Sequence, residues 1–392
     1  MSENENFTAL DLFSGAGGMS LGLEDSGIKS VGAIESDRFA CETYRTNFPS
    51  AEMLETEIKE FSSLEAKQKF EGCDMIVGGP PCQGFSVAGP SQYGIIDKKR
   101  NTLPLQMMRL VKELKPRLCI IENVKGILSG RIDKNKSALY AILNELEKLG
   151  YNATWQLLQA ADFGVPQWRE RVFIIGTRKG NNTFPEIKPV FGSIRRPWRT
   201  VGAAISDLPV IENSEGVNSL VPYTKNAENA YQKLMRKGSK GVVNHISMRH
   251  TPRILERFKH IPVGGSLVDV PLEYGQRLRN GTELDYKKRF KMNNQRLDPN
   301  KVSLAITASF QSNFVHPEKD RNLTAREGAR FQSFPDRFVF CGPRTLMSKS
   351  LLKRENRQNE IGLSQYNQIG NAVPPLLAKA IGQVIVHYLK NC

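Results

Sequence analysis

FTALDLFSGAGG, residues 7–18, is the stretch on which the fold turns. An apolar run of strand length, broken by one acid at Asp11, stops at Ser14 and gives way to Gly15, Gly17 and Gly18. Three later runs have the same shape: VGAIE (31–35), DMIVGG (74–79) and RLCIIE (117–122) are short, apolar and end in glycine or an acid. Such runs are the mark of parallel strands buried on both faces. Between them lie segments long enough for helices, Gly18–Ser26, Phe39–Asn47 and Thr102–Leu114, the last closed by Lys115 and Pro116. The alternation predicts an α/β fold with a doubly wound, mostly parallel sheet. Ligands of such sheets bind beyond the carboxyl ends of the strands. Four unusual features stand at those ends: the glycine loop, Glu35, Pro80-Pro81-Cys82, and Glu122-Asn123-Val124.

Length and charge set the wider frame. A chain of 392 residues exceeds one ordinary core and predicts two domains. The six cysteines are scattered without a CxxC pair, so neither a zinc site nor a disulfide framework is expected, no metal is assigned, and a reducing cytoplasm fits. No signal-like segment or membrane-length apolar run is present. The net charge of +15 favours a polyanionic partner. Between Lys225 and Lys301 there are 17 Lys+Arg against 7 Asp+Glu, so that segment carries +10 of the excess. It also lacks the strand-helix rhythm of the first half, and reads as a nucleic-acid-facing module; within it Lys287, Lys288 and Arg289, beside Tyr286 and Phe290, read either as a solvated turn, the reading the cluster favours when taken alone, or as backbone anchors of that module.

The strand-end residues suggest chemistry. Glycines after a strand let a backbone approach a ligand, and an acid ending the next strand suits ribose hydroxyls, so Glu35 and the loop point to a nucleoside-containing cofactor. Ser20 stands where a complete dinucleotide fingerprint has its third glycine, which favours a cofactor without a pyrophosphate, such as S-adenosylmethionine, over NAD. Cys82 follows two stiffening prolines and opens a Gly- and Lys-rich loop, a setting for a thiolate nucleophile, whereas Cys73 and Cys119 read as core hydrophobes. Glu122 is a candidate proton donor near that thiol. In QWRER (167–171) the strand period places Arg169 and Arg171 on one face, either as a pair that fixes a carbonyl or phosphate or as a salt-bridged edge.

DLFSGAGG, GGPPCQGFS, ENV, QWRER, Leu323–Pro335 and QIGNAV (368–373) follow one another in an order and spacing that resemble the DNA cytosine-5 methyltransferase family, whose bacterial members usually serve restriction-modification systems. The likeness runs from about residue 7 to 385, apart from the basic segment. It implies a catalytic and cofactor-binding domain over 1–190, completed by 362–392, and a target-recognition domain with its hinge over 191–361. It also implies S-adenosylmethionine held by Phe13, Ser14, Gly15, Ala16, Gly17, Gly18, Glu35, Pro81, Leu103, Asn371, Ala372 and Val373. Glu57 stands where the family commonly has Asp. Cys82 is implied to add to C6 of a flipped-out cytosine, Glu122 to act at N3, and Arg171 with Arg169 to lie near O2, while the loop Pro81–Asn101 closes over the base. Gln83 and Ser86 join the basic cluster as implied DNA contacts. The implied partner is double-stranded DNA, met by a cytoplasmic monomer, with a cognate restriction endonuclease as a separately acting candidate and no membrane.

Three rivals share parts of this pattern. A nicotinamide-dependent oxidoreductase would leave Cys82, Glu122 and the basic insert without a use. An RNA cytosine methyltransferase of the same fold suits the same residues. A non-catalytic DNA-binding relative would be expected to lack Cys82 or Glu122, and both are present.

Overall fold

Strand β1 (Thr8–Leu12) and its loop organise a seven-stranded sheet with β2 (Lys29–Glu35), β3 (Glu52–Glu55), β4 (Met75–Gly78), β5 (Leu118–Val124), β6 (Tyr151–Gln159) and β7 (Glu170–Arg178). The computed structural model describes residues 7–80, 103–133, 136–180, 182–277, 291–345 and 349–392. Pro81, Cys82, Gln83, Ser86, Lys287, Lys288 and Arg289 lie outside them. The strand order is β3-β2-β1-β4-β5-β7-β6, with β1 to β5 parallel and β7 antiparallel to both neighbours. The order reverses between β1 and β4, where Leu12 pairs with Gly78, so the carboxyl ends of these two strands lie side by side at the switch point. Every residue of β4, and Leu118 to Ile121 of β5, is buried, as the continuous apolar runs predict.

Helices α1 (Gly18–Glu24), α2 (Arg38–Asn47), α3 (Ser63–Phe70), α4 (Leu103–Leu114), α5 (Ala138–Lys148) and α6 (Pro375–Lys390) accompany the sheet. Asp37 caps α2 by accepting from the amides of Phe39 and Ala40, and Ser62 with Glu65 forms a capping box on α3. The C-terminal α6 packs on α1 and is tied down where Arg117 Nη2 donates to Leu389 O at 2.9 Å and Tyr388 Oη to Asn182 O at 2.6 Å. Among the described residues, no single helix is long and apolar enough to cross a membrane.

Two compact units result: Met1–Phe163 with Arg169–Phe191 and Ala372–Cys392, and Gly164–Trp168 with Gly192–Asn371. Residues 362–371, expected with the first domain, cluster with the second unit. Side chains explain this: Asn367 Nδ2 donates to Ala308 O at 2.9 Å and Tyr366 Oη to Leu323 O at 3.0 Å. Gly164–Trp168 joins the same unit because Gln167 donates to Phe331 O and Gln332 Oε1, while Trp168 packs edge-on against Trp198.

Among its described residues the second unit has only two-residue ladders, such as Val221–Pro222 with Gly241–Val242. Irregular backbone leaves carbonyls without ladder partners, and burying them unpaired is costly. Buried arginines fill the gap. Arg326 donates to Val243 O, Pro335 O and Phe338 O. Arg330, fully buried, binds Ala204 O, Asp207 and Asp336. Arg321 holds Glu327 with two bonds of 2.7 and 2.9 Å, and that pairing keeps the Glu327 carboxyl well below the usual carboxylate range despite its burial.

Candidate active site

The loop after β1 turns sharply. Phe13 adopts φ 57°, a left-handed conformation uncommon outside glycine, and Gly17 follows at φ 89°. Gly17 has a second reason to lack a side chain: a Cβ there would fall onto the Phe48 ring and within 2.9 Å of Tyr44. The loop is latched to the end of β2, since Gly15 N donates to Glu35 Oε2 at 3.0 Å. Glu35 Oε1 accepts from Ser36 N at 2.7 Å and Asp37 N at 2.9 Å. A carboxylate offers about four lone-pair positions, so Oε2 retains one for a ligand hydroxyl. Burial pushes the Glu35 carboxyl up, and these amides oppose the shift. Ser14 Oγ is buried with no hydrogen-bond partner among the described residues. Ala16 and Gly18 are buried beside it, and Leu103 opens α4 against the central core.

Beneath the loop lies a network that the sequence reading missed. Ser20 Oγ donates to Asp11 Oδ2 at 2.6 Å and lies 2.9 Å from Tyr44 Oη. Asp11 is 2 % exposed, and desolvation raises its pKa to about 7 against the opposing Ser20 bond. Ser20, the residue in place of a third glycine, is therefore the polar partner of a buried acid. The available signal was a lone acid inside an apolar strand.

At the end of β5, antiparallel pairing builds the acid site. Val124 stands opposite Arg171, so Glu122, two residues earlier on the same face, meets Arg171 diagonally. Arg171 Nε lies 2.8 Å from Glu122 Oε1, and the two side chains are 17 % and 13 % exposed. Arg169, one residue before β7, is fully buried; its backbone amide donates to Gln159 Oε1 at 2.5 Å and its Nη2 to Ala372 O at 3.1 Å. Burial pushes its guanidinium well below the usual range, Arg171 adds to that, and Glu122 opposes it. Gln159 is a second residue the sequence did not single out.

Other predicted residues fall elsewhere. Glu57 lies two positions beyond β3, exposed, with Lys59 Nζ at 3.8 Å; its link to the loop is indirect, through Thr56 N donating to Glu35 O. Asn371 ends the helix Gln365–Asn371 of the second unit, whereas Ala372 and Val373 belong to the first. Cys73 and Cys119 are buried, and burial pushes both thiols up to about 12, which makes them inert. Within the basic segment, Arg236, Arg253, Arg257 and Arg296 donate to backbone carbonyls of their own unit. Part of the local excess of charge is thus internal scaffolding.

Comparison with known proteins gives the family. A family model described as C-5 cytosine-specific DNA methylase matches residues 7–387. The chain is 42 % identical to the type II methyltransferase M.DdeI of Desulfomicrobium norvegicum, over 97 % of this chain and 89 % of that protein. It is 34 % identical to the type II methyltransferase M1.HphI of Haemophilus parahaemolyticus, over 98 % and 88 %. A solved E. coli structure, described as a prophage-encoded DNA modification methyltransferase, superposes with a TM-score of 0.75 at 26 % identity, covering 98 % of this chain and 99 % of that one.

Proposed function

Because the chain belongs to the C-5 cytosine-specific DNA methylase family and is a DNA cytosine-5 methyltransferase of the bacterial restriction-modification type, we propose that it methylates a flipped-out cytosine in double-stranded DNA through a covalent Cys82 adduct. The observation that carries the reading is the largely desolvated Glu122–Arg171 pair at the end of β5, beside the strand that leads to Cys82.

S-adenosylmethionine fits the first unit's loop. The unpartnered Ser14 Oγ, the free lone pair of Glu35 Oε2 and the side-chain-free bend at Gly15 and Gly17 are what a phosphate-free nucleoside needs. Phe13, Ala16, Gly18, Leu103, Ala372 and Val373 complete the proposed holding set on that unit, with Pro81, Asn371 and Glu57 as further proposed contacts. When bound, the cofactor supplies an electrophilic methyl on a sulfonium.

C5 of cytosine is a weak nucleophile. The Cys82 thiolate adds to C6, forming the S–C6 bond and moving the ring electrons toward C5 and N3. Glu122 donates a proton or hydrogen bond at N3 and offsets the developing charge. Arg171, with Arg169 fixed behind it by Ala372, orients the Glu122 carboxyl and meets the cytosine O2. After methylation a base removes the C5 proton, the electron pair returns to the ring, and the thiolate departs. C6 is closed off inside a duplex, so the base must leave the stack, with the loop Pro81–Asn101, including Gln83 and Ser86, closing over it. The second unit reads the target, and Lys287, Lys288 and Arg289 hold the phosphate backbone. The enzyme works as a monomer in the bacterial cytoplasm, and any cognate endonuclease acts separately.

Bisulfite sequencing of a plasmid from cells expressing the protein tests the reading. We expect 5-methylcytosine at one position of one short sequence. Unmodified plasmid, together with labelled methyl transfer to tRNA but not to DNA, would overturn it.

A further inference from the structure

The glycine before Pro80 has no conformational reason to be one. Gly79 is absent from the residues with positive φ, so its backbone accepts any side chain. Space is what excludes one. A Cβ at position 79 would lie 3.1 Å from Glu122 Oε2, closer than an ordinary van der Waals contact. The register explains the approach: Gly78 of β4 pairs with Ile121 of β5, so the next residues, Gly79 and Glu122, come side by side as the strands end.

Glu122 cannot simply swing away. Its other oxygen, Oε1, is held at 2.8 Å by Arg171 Nε, and the neighbouring Arg169 is pinned to Ala372 O and Gln159 Oε1. The carboxyl group is therefore set by an ion pair on one oxygen and by a bare stretch of backbone under the other.

We propose that Gly79 is a positioning residue for the methyl-transfer reaction: its missing side chain is the shelf that fixes the Glu122 carboxyl against Arg171. The assignment rests on the reading of Glu122 as the group acting at the cytosine ring. A displacement of a few tenths of an ångström in such a group lowers the rate by about 10-fold, since 1 Å can cost about 10²-fold. Affinity for cofactor and DNA, set by other residues, stays the same.

The test is a double-mutant cycle on the full chain, with kcat and KM measured for both substrates. Gly79→Ala is expected to lower kcat about 10-fold with both KM values and the thermal midpoint unchanged. In a Glu122→Gln background, the same substitution is expected to change kcat less than 2-fold. An equal loss in both backgrounds would overturn the proposal, because Gly79 would then act through the chain leading to Cys82, and so would an unchanged kcat in Gly79→Ala alone. Full activity in Glu122→Gln itself would instead refute the role given to Glu122. Should Gly79→Ala fail to fold, Glu122→Asp decides: its carboxyl is one methylene shorter and leaves the shelf, so kcat should fall about 10-fold, and full activity would overturn the positional requirement.

Discussion

Replacing Asp11 by Asn should make the protein's stability markedly less sensitive to a rise of pH from acid to neutral. Asp11 is 2 % exposed, and burial raises its pKa from 3.8 to about 7. A raised carboxyl favours the protonated form in the fold, so its contribution is fully present below pH 3.8 and is lost as pH climbs toward about 7. That gap corresponds to a total of about 4 kcal/mol, of which about 2.5 kcal/mol is lost between pH 5 and 8.5. Asn cannot ionise. It keeps an acceptor for Ser20 Oγ, at a pH-independent cost of about 1–3 kcal/mol if its amide group finds no partner. Urea unfolding of both proteins at pH 5, 7 and 8.5, followed by circular dichroism, gives the difference directly. Every other ionisable group is common to both proteins and cancels in the comparison. We expect the variant to gain about 2.5 kcal/mol relative to wild type across this range. A difference that stays constant would refute the claim that the carboxyl under the glycine loop is held neutral by burial.

Glu122→Gln keeps shape but removes the acid, so kcat should fall about 10²-fold with little change in cofactor affinity by calorimetry; collapse of cofactor binding would move Glu122 to the cofactor site. In the second unit, burial lowers His316 and His250 from 6.5 to about 4. The neutral forms are favoured in the fold, so their contribution is present above pH 6.5 and is lost as pH falls toward 4, by about 2 kcal/mol at pH 5 for the more buried His316. Urea midpoints at pH 7 and 5 should therefore fall further for wild type than for His316→Gln, and equal falls would contradict the prediction. Replacing Lys287, Lys288 and Arg289 together by Ala should weaken binding to all DNA sequences and lower the salt-dependence slope by about 0.9 for each phosphate no longer neutralised. An unchanged slope would mean that these three residues solvate an exposed surface.

The first unit was legible because its elements declare themselves locally. The apolar runs at 7–13, 31–35, 74–79 and 117–122 become β1, β2, β4 and β5, and the helix-length gaps become α1, α2 and α4. Arg171 pairs with Glu122, and Arg169, buried one residue before β7, is influenced by the charges of both. What stayed hidden depends on partners distant in sequence. The Glu122–Arg171 pair needs the antiparallel placement of β7, and Asp11 gains its meaning only with Ser20 and Tyr44 in place. The second unit was illegible for another reason. Arg326 and Arg330 sit in the fully buried helix Ala325–Phe331, where their guanidiniums serve carbonyls and carboxylates that no local pattern announces. Charge counting over Lys225–Lys301 likewise could not separate arginines that face solvent from Arg257 and Arg296, which are buried.

In the proposed reaction Cys82 bonds covalently to the target base. A duplex carrying 5-fluorocytosine at the methylated position, incubated with the protein and S-adenosylmethionine and run on a denaturing gel, tests it, because fluorine cannot leave as a proton and the adduct is trapped. Wild type should form a stable protein–DNA adduct and Cys82→Ala should form none while still binding the duplex; an adduct with the Cys82→Ala variant, or none with wild type that methylates the unmodified duplex, would contradict the account.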